Sequence, residues 1–353
     1  MNILDTLEQF DIKGTVMGYS PLGNGHINTT YLVTTKEGDC YVLQKINDHV
    51  FNDVDKLMSN IYLATKFLSE KGYETLEIVK TKDHKLYYQD EDGYYRLYTY
   101  IKDVICYEGV EDLDAVYNAA KAFGALHKSL FDFPAKSLYE VIPNFHNTEK
   151  RYADFLMAVN FNVCNRVRKC QKEIDAINKF NNLYSLINNC IKSGEVKLGV
   201  THNDPKINNV LFDKDTNKIR AVIDLDTVMP GSFLYDYGDA LRSLMTGEYE
   251  DSKNLNKIQV DFDIFENYTR GYLSEMNNYL TSKEKELLPF SVFLLTAELA
   301  IRFLTDYLQG DTYFHTAYPE HNLVRARTQV KLMNDLYEQM DSLKAIVKKL
   351  SRL

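Results

Sequence analysis

The sequence predicts an α+β protein in which a small, mainly antiparallel sheet with one helix precedes a larger, mainly helical region. Two observations predict it. Over the first hundred residues short β-rich runs alternate with turn signals, whereas from about Leu113 the apolar period lengthens from two to about 3.6. The 353 residues exceed the usual single-domain size. No Pro/Gly/Ser-rich linker, internal repeat or low-complexity tract is visible, so the join is expected in ordered chain near Tyr100 to Asp103, between an N-terminal region of residues 1–102 and a C-terminal region of residues 103–353.

The elements follow in order. Segments 14–20 and 30–35 read as a hairpin around a glycine-containing loop, and a third strand, 41–46, follows the turn Lys36-Glu37-Gly38-Asp39. Leu57, Ile61, Ala64 and Leu68 share one face of a helix within 51–68. Strand patterns return at 76–80, 86–89 and 94–100, the last two separated by the acidic turn Asp90-Glu91-Asp92-Gly93. In the second region, Val116, Ala119, Ala120, Phe123, Leu126 and His127 mark one helix, 174–191 a second and 292–304 another. A β-hairpin, 209–212 and 219–225, interrupts the helical region.

Composition excludes several classes. Hydrophobic residues at 45% and charged residues at 26% describe an ordinary globular chain and argue against disorder. A net charge of −9 works against attraction to nucleic acid or anionic lipid. The five cysteines, at positions 40, 106, 164, 170 and 190, form no C-x-x-C pair and read as free thiols in a reducing compartment. The first thirteen residues lack a basic segment followed by an apolar run, and the apolar stretch 290–304 is broken by Glu298 and Arg302 and falls short of the roughly 20 residues a bilayer requires. A cytoplasmic protein with no membrane partner is expected.

The chemistry concentrates at the interrupting hairpin. Thr201-His202-Asn203-Asp204-Pro205-Lys206-Ile207-Asn208-Asn209 is the densest polar run and lies between two apolar segments. Phosphoryl transfer to a hydroxyl needs a carboxylate to orient the attacking oxygen and accept its proton, and a nearby amide oxygen coordinates Mg2+. Asp204 and Asn209 fit those two tasks. After the hairpin, Ile223-Asp224-Leu225-Asp226 places two carboxylates at a strand end, the hard oxygen donors that Mg2+ on nucleotide phosphates requires. A pair of polar turns capped by Asx side chains is the plain alternative.

His202-x-Asp204 with Asn209 five residues on, then Asp224 beyond a hairpin, resembles the aminoglycoside phosphotransferase/choline kinase superfamily. The runs 222–231 and Tyr235-Asp236-Tyr237-Gly238-Asp239 are similar to the N-acetylhexosamine 1-kinase group. So are Gly23-Asn24-Gly25-His26-Ile27-Asn28, Phe145-His146-Asn147-Thr148, 302–307 and His321-Asn322-Leu323-x-Arg325-Ala326-Arg327, and the likeness spans nearly the full chain.

That resemblance implies a two-lobed protein-kinase-like fold, with a nucleotide-binding N-terminal lobe and a C-terminal lobe for catalysis and substrate. ATP is the implied donor, Mg2+ the cofactor and a small sugar the acceptor, phosphorylated at its anomeric hydroxyl. Asp204 becomes the base and touches the acceptor, and Asn209 and Asp224 become metal ligands, with Asp226 as a further ligand or a contact to substrate. Gly23, Asn24 and Gly25 sit at the tip of the first hairpin, where backbone N–H groups approach phosphates, although Asn-Gly is also a common hairpin turn. The third strand should offer a cation, and Lys45 is the choice, with Gln44 taking that face after a one-residue slip. Tyr100 and Ile101 are the implied hinge against adenine, and Arg302 and Tyr313 the implied sugar contacts. His202, Asp236 and Asp239 are expected to brace loops. The rivals are a kinase of the same superfamily for choline, homoserine or an aminoglycoside, and a silent nucleotide-binding module.

Overall fold

Strand alternation decides which residues of the first region see each other. In the computed structural model, which describes the chain apart from residues 1, 2, 24–26, 108, 110, 111 and 353, Leu43 lies directly across from Leu97 and Gln44 from Arg96. Successive residues of a strand point to opposite faces, so these two pairs serve different sides of one sheet. The chain forms two units. One consists of Met1–Cys106, Asp132–Pro143 and Asn209–Pro230, and the other of Tyr107–Phe131, Asn144–Asn208 and Gly231–Leu353.

The first unit opens with α1 (Ile3–Leu7) and builds a sheet from β1 (Val16–Pro21), β2 (Thr29–Thr35), β3 (Cys40–Ile46), β4 (Ile78–Val79), β5 (Tyr88–Asp90) and β6 (Gly93–Thr99). The order is β1-β2-β3-β6-β4, with β5 also paired to β6, and the pairings are antiparallel. Leu7, Phe10, Val33, Tyr41, Leu43, Tyr95 and Leu97 form a buried cluster on one face. The helix of this unit, α2 (Val54–Glu70), starts three residues later than the apolar pattern suggests, because Asp53 caps it by accepting the Lys56 N–H. Its expected inward residues Leu57, Ile61, Ala64 and Leu68 are all buried. Asn60, also buried, donates to the carbonyls of Tyr139 and Val228 and accepts the Tyr139 N–H, which fastens α2 to both later segments of the unit. The late hairpin, β9 (Val210–Asp213) and β10 (Ile219–Val222), pairs antiparallel, and β7 (Val104–Ile105) adds to its β9 edge.

The second unit holds the short strand β8 (Gly199–Thr201) and helices α3 (Leu113–Ser129), α4 (Thr148–Phe161), α5 (Gln171–Asn178), α6 (Leu186–Ser193), α7 (Phe233–Leu244), α8 (Phe262–Met276), α9 (Ser282–Gln309), α10 (His321–Glu338) and α11 (Met340–Leu350). The single helix expected over 174–191 is two helices with a 3-10 turn at Asn181–Leu183 between them. The break follows Asn178, whose side-chain oxygen accepts from the Tyr152 hydroxyl at 3.0 Å, and the buried Tyr184 hydroxyl ties the turn down by donating to the Ile177 carbonyl at 2.7 Å. At the centre runs α9, opened by a Thr281/Glu284 capping box and closed by Gly310 in the left-handed region at φ 103°. It is long and apolar enough to cross a bilayer, yet 94% of its most apolar stretch is buried inside the protein, so it is the core helix of this unit.

Candidate active site

In the first unit, the sheet face that carries Gln44 and Arg96 also carries the ion pair of the late hairpin. Arg96, only 1% exposed, places Nη2 2.6 Å from a carboxylate oxygen of Asp226, itself 4% exposed. The other Asp226 oxygen accepts from Asn28 Nδ2 at 2.7 Å. Arg96 Nε and Nη2 both donate to Gln44 Oε1, at 3.0 and 2.8 Å, and its guanidinium lies 5.3 Å from the centre of the Tyr98 ring. Burial works against the Arg96 charge, but Asp226 and Tyr98, with Asp224 behind them, more than offset it and raise its pKa.

Asp224 sits differently. It is exposed, occupies the left-handed region at φ 61° and begins the 3-10 turn Leu225–Thr227. The Ile223 N–H donates to the Asn209 carbonyl at 2.9 Å, so Asp224 directly follows the residue paired with Asn209. The two proposed ligands therefore come from neighbouring points of one hairpin. Asp226 does not join them as an open carboxylate, since both its oxygens are engaged.

Lys45 does not reach this face. It pairs with Tyr95 in the β3–β6 register and lies 5.9 Å from the Tyr95 ring centre, on the side opposite Gln44 and Arg96. The expected place of Lys45 is thus corrected: Lys45 lies on the opposite face, and Gln44 is the β3 side chain that shares a face with Arg96 of β6. Gly23 adopts φ 69° just past a β1–β2 bond, from Leu22 N–H to the Thr30 carbonyl, and among the described residues other than its chain neighbours nothing lies within 4 Å of where a Cβ would stand. Asn24 and Gly25 lie outside the described residues. Tyr100 and Ile101 follow β6 directly, and the Tyr100 N–H donates to the Cys40 carbonyl at 3.1 Å.

The loop that carries Asp204 belongs to the second unit up to Asn208, and Asn209 opens the last segment of the first. Buried Asp236 of α7 anchors this loop by accepting the backbone N–H of His202 at 2.6 Å and of Asn203 at 2.7 Å. His127 Nε2 lies 2.8 Å from the same carboxylate, and its Nδ1 lies 2.9 Å from the Tyr272 hydroxyl. Burial alone would raise the Asp236 pKa, but His127 and the loop N–H groups hold it below the ordinary value. Asn203 takes φ 64°, which turns the chain so that Asp204 follows; the Asp204 N–H donates to His202 Nδ1 at 3.3 Å. His202 thus braces the loop. Lys206 Nζ lies 2.9 and 3.0 Å from the two Asp204 oxygens. Asp239 pairs with Arg242 Nε at 2.9 Å.

A second polar cluster lies at the C-terminal half of α9. Arg302, half-buried, stands among three rings, 5.6 Å from Phe145, 5.8 Å from Tyr313 and 5.4 Å from Phe314. Among the described residues it forms no salt bridge with Glu298 one turn earlier, although its charge still acts on that carboxylate. The Glu298 oxygens lie 3.0 Å from His146 Nδ1 and accept from Thr148 Oγ1 at 2.6 Å. Burial raises the Glu298 pKa, but His146, Arg302 and Thr148 together hold it below the ordinary value. Tyr313 is 69% exposed, and its loop is fixed by Asp306, whose oxygens accept the N–H groups of Thr312, Tyr313 and Phe314 at 2.8–2.9 Å.

Arg96 and Lys206 are residues that sequence patterns did not single out, whereas His146, Glu298 and Asp306 stand in the runs quoted above, His146 as either a contact or a brace and Glu298 as a partner for Arg302. Lys206 had a signal in the loop itself, two residues after Asp204. For Glu298 the signal was a carboxylate in an apolar helix, which spacing alone paired with Arg302.

The family model described as a phosphotransferase enzyme family matches residues 18–271. Among solved structures, an aminoglycoside phosphotransferase from Alicyclobacillus acidocaldarius is similar at 14% identity and a TM-score of 0.63, covering 99% of this chain and 97% of that one. An amicoumacin kinase in complex with AMP-PNP, Ca2+ and Ami is similar at 15% identity and a TM-score of 0.59, over 93% and 92% of the two chains. A choline kinase from Cryptosporidium parvum follows at 15% and 0.58, over 95% and 93%. At these identities the likeness establishes the kinase-like fold.

Proposed function

The chain belongs to the phosphotransferase enzyme family, and from that membership we propose that this small-molecule kinase uses ATP and Mg2+ to phosphorylate the anomeric hydroxyl of an N-acetylhexosamine. Asp204 orients the sugar hydroxyl and accepts its proton; the bond from the γ-phosphorus to ADP breaks as the bond to the anomeric oxygen forms, giving a sugar 1-phosphate and ADP. Lys206, held against Asp204, keeps that carboxylate in one place and offers a cation to the passing phosphoryl group. Gly23 leaves room for backbone to approach phosphate, and the residues after β6, Tyr100 and Ile101, meet the base.

The donor chemistry of Asn209 and Asp224 fits a hard divalent cation, because an amide oxygen and an exposed carboxylate come from adjacent points of one hairpin. Bound there, such an ion supplies charge neutralisation on the phosphates.

One observation supports a neutral acceptor over a cationic one: at the cluster around Arg302 the carboxylate, Glu298, is already engaged by His146 and Thr148, while Arg302 remains beside Tyr313. A quaternary ammonium or a protonated amine needs an open carboxylate or aromatic cage with no competing cation. A sugar's hydroxyl and acetamido oxygens instead accept from a guanidinium, and its apolar face covers Tyr313. The test is phosphorus NMR of products after incubation with ATP, Mg2+ and a panel of N-acetylhexosamines, plain hexoses, choline, ethanolamine and an aminoglycoside. A sugar 1-phosphate from the N-acetylhexosamines is expected. Turnover confined to the cationic acceptors overturns the reading.

A further inference from the structure

The two carboxylates of the segment after β10 have opposite surroundings. Asp224 is exposed, whereas Asp226 is 4% exposed, with one oxygen ion-paired to Arg96 Nη2 at 2.6 Å and the other accepting from Asn28 Nδ2 at 2.7 Å. Both donors are themselves fixed. Gln44 accepts twice from Arg96 and passes the constraint to Thr30 Oγ1 through Nε2 at 3.1 Å, while Asn28 Oδ1 accepts the Asn47 N–H at 3.0 Å. A carboxylate bound this way must give up a charged hydrogen bond in a dry setting before it can ligate a metal, and it would leave Arg96 buried and unpaired.

We propose that Asp226 is a positioning residue rather than a metal ligand: it ties Arg96 on β6 and Asn28, at the end of the loop that begins at Gly23, to the hairpin that presents Asp224 and Asn209. The inference deepens the proposed function and rests on its reading of Asp224 and Asn209 as the ligands. Gln44 fills on β3 the place where a lysine was expected, and it serves the Arg96–Asp226 pair by orienting the guanidinium. The segment leading from the first hairpin loop thereby takes its position from the same carboxylate.

The test measures Mn2+ affinity of the ADP-bound protein by electron paramagnetic resonance, together with thermal unfolding, for the wild type, Asp226→Asn, Asp224→Asn and the double variant Arg96→Gln with Asp226→Asn. Asp226→Asn and the double variant are expected to bind Mn2+ within about threefold of the wild type, and Asp224→Asn about tenfold or more weakly. Asp226→Asn should melt earlier than the wild type, with the double variant recovering some of the loss because no buried charge is stranded. If Asp226→Asn does not fold, the double variant decides. Loss of Mn2+ affinity in the Asp226 variants equal to that of Asp224→Asn overturns the inference while leaving the metal site standing. Undiminished affinity in Asp224→Asn removes the site itself, and the inference with it.

Discussion

The ammonium of Lys206 bridges both oxygens of Asp204, at 2.9 and 3.0 Å, across a single turn of the loop. Lys206 is 60% exposed at its side chain, against 26% for Asp204, so the lysine covers the carboxylate from the solvent side. Exposure keeps the pair's contribution to stability small, and its value lies in orientation. Replacing Lys206 with Met should therefore cost about 10–100-fold in kcat with unchanged unfolding temperature, while Asp204→Asn should cost about 10²–10⁴-fold with nucleotide affinity retained. Steady-state kinetics beside nucleotide titrations check both; an Asp204→Asn enzyme that turns over normally removes the residue from the chemistry.

Asp236 is where fold and loop are joined. Truncating it to Ala removes the carboxylate that accepts the His202 and Asn203 N–H groups and takes the buried partner from His127 Nε2. A loss of about 3 kcal/mol or more is expected in urea unfolding.

Acid should expose the buried carboxylates. Glu298 has a folded pKa held below its ordinary value of 4.5, the cost of burial being outweighed by His146, Arg302 and Thr148. The stability it contributes is thus complete above that ordinary value and drains as pH falls through the lower folded one. Melting curves from neutrality downward should show the wild type losing stability more steeply than Glu298→Gln below about pH 4.5. Parallel curves would refute the linkage.

Arg302 offers a split between kinetic parameters. Arg302→Met should raise the acceptor KM by about tenfold or more and leave the ATP KM unchanged, since the lost contact is to the sugar alone.

Close helix packing makes a stability prediction independent of function. A Cβ on Gly271 of α8 would stand 2.2 Å from the Tyr117 carbonyl of α3, and backbone cannot yield as a side-chain tip does. Gly271→Ala should destabilise the chain by about 1–3 kcal/mol in chemical denaturation.

The sequence made some of this legible and hid the rest for physical reasons. The polar run 201–209 stood out because an Asp, three Asn and a His between apolar strands have no packing purpose, and the helix face Leu57/Ile61/Ala64/Leu68 could be read because its period is local. Arg96 could not be read that way. It sits in Tyr94-Tyr95-Arg96-Leu97-Tyr98, and only the pairing of β6 with β3 places it opposite Gln44. The same register sent Lys45 to the far face, which a one-dimensional pattern cannot decide. Asp306 stood in the run 302–307, but its task could not be read there: three of its partners are N–H groups of a loop, and backbone donors carry no letter in the sequence.

The first unit is stitched from three stretches, the last carrying Asp226. During synthesis, then, Arg96 leaves the ribosome long before its counter-ion exists, and the sheet cannot reach its final dry state until the hairpin has been made. A fragment cut at Cys106 in search of a minimal nucleotide-binding module would keep the guanidinium and discard the carboxylate. Water would have to take the carboxylate's place.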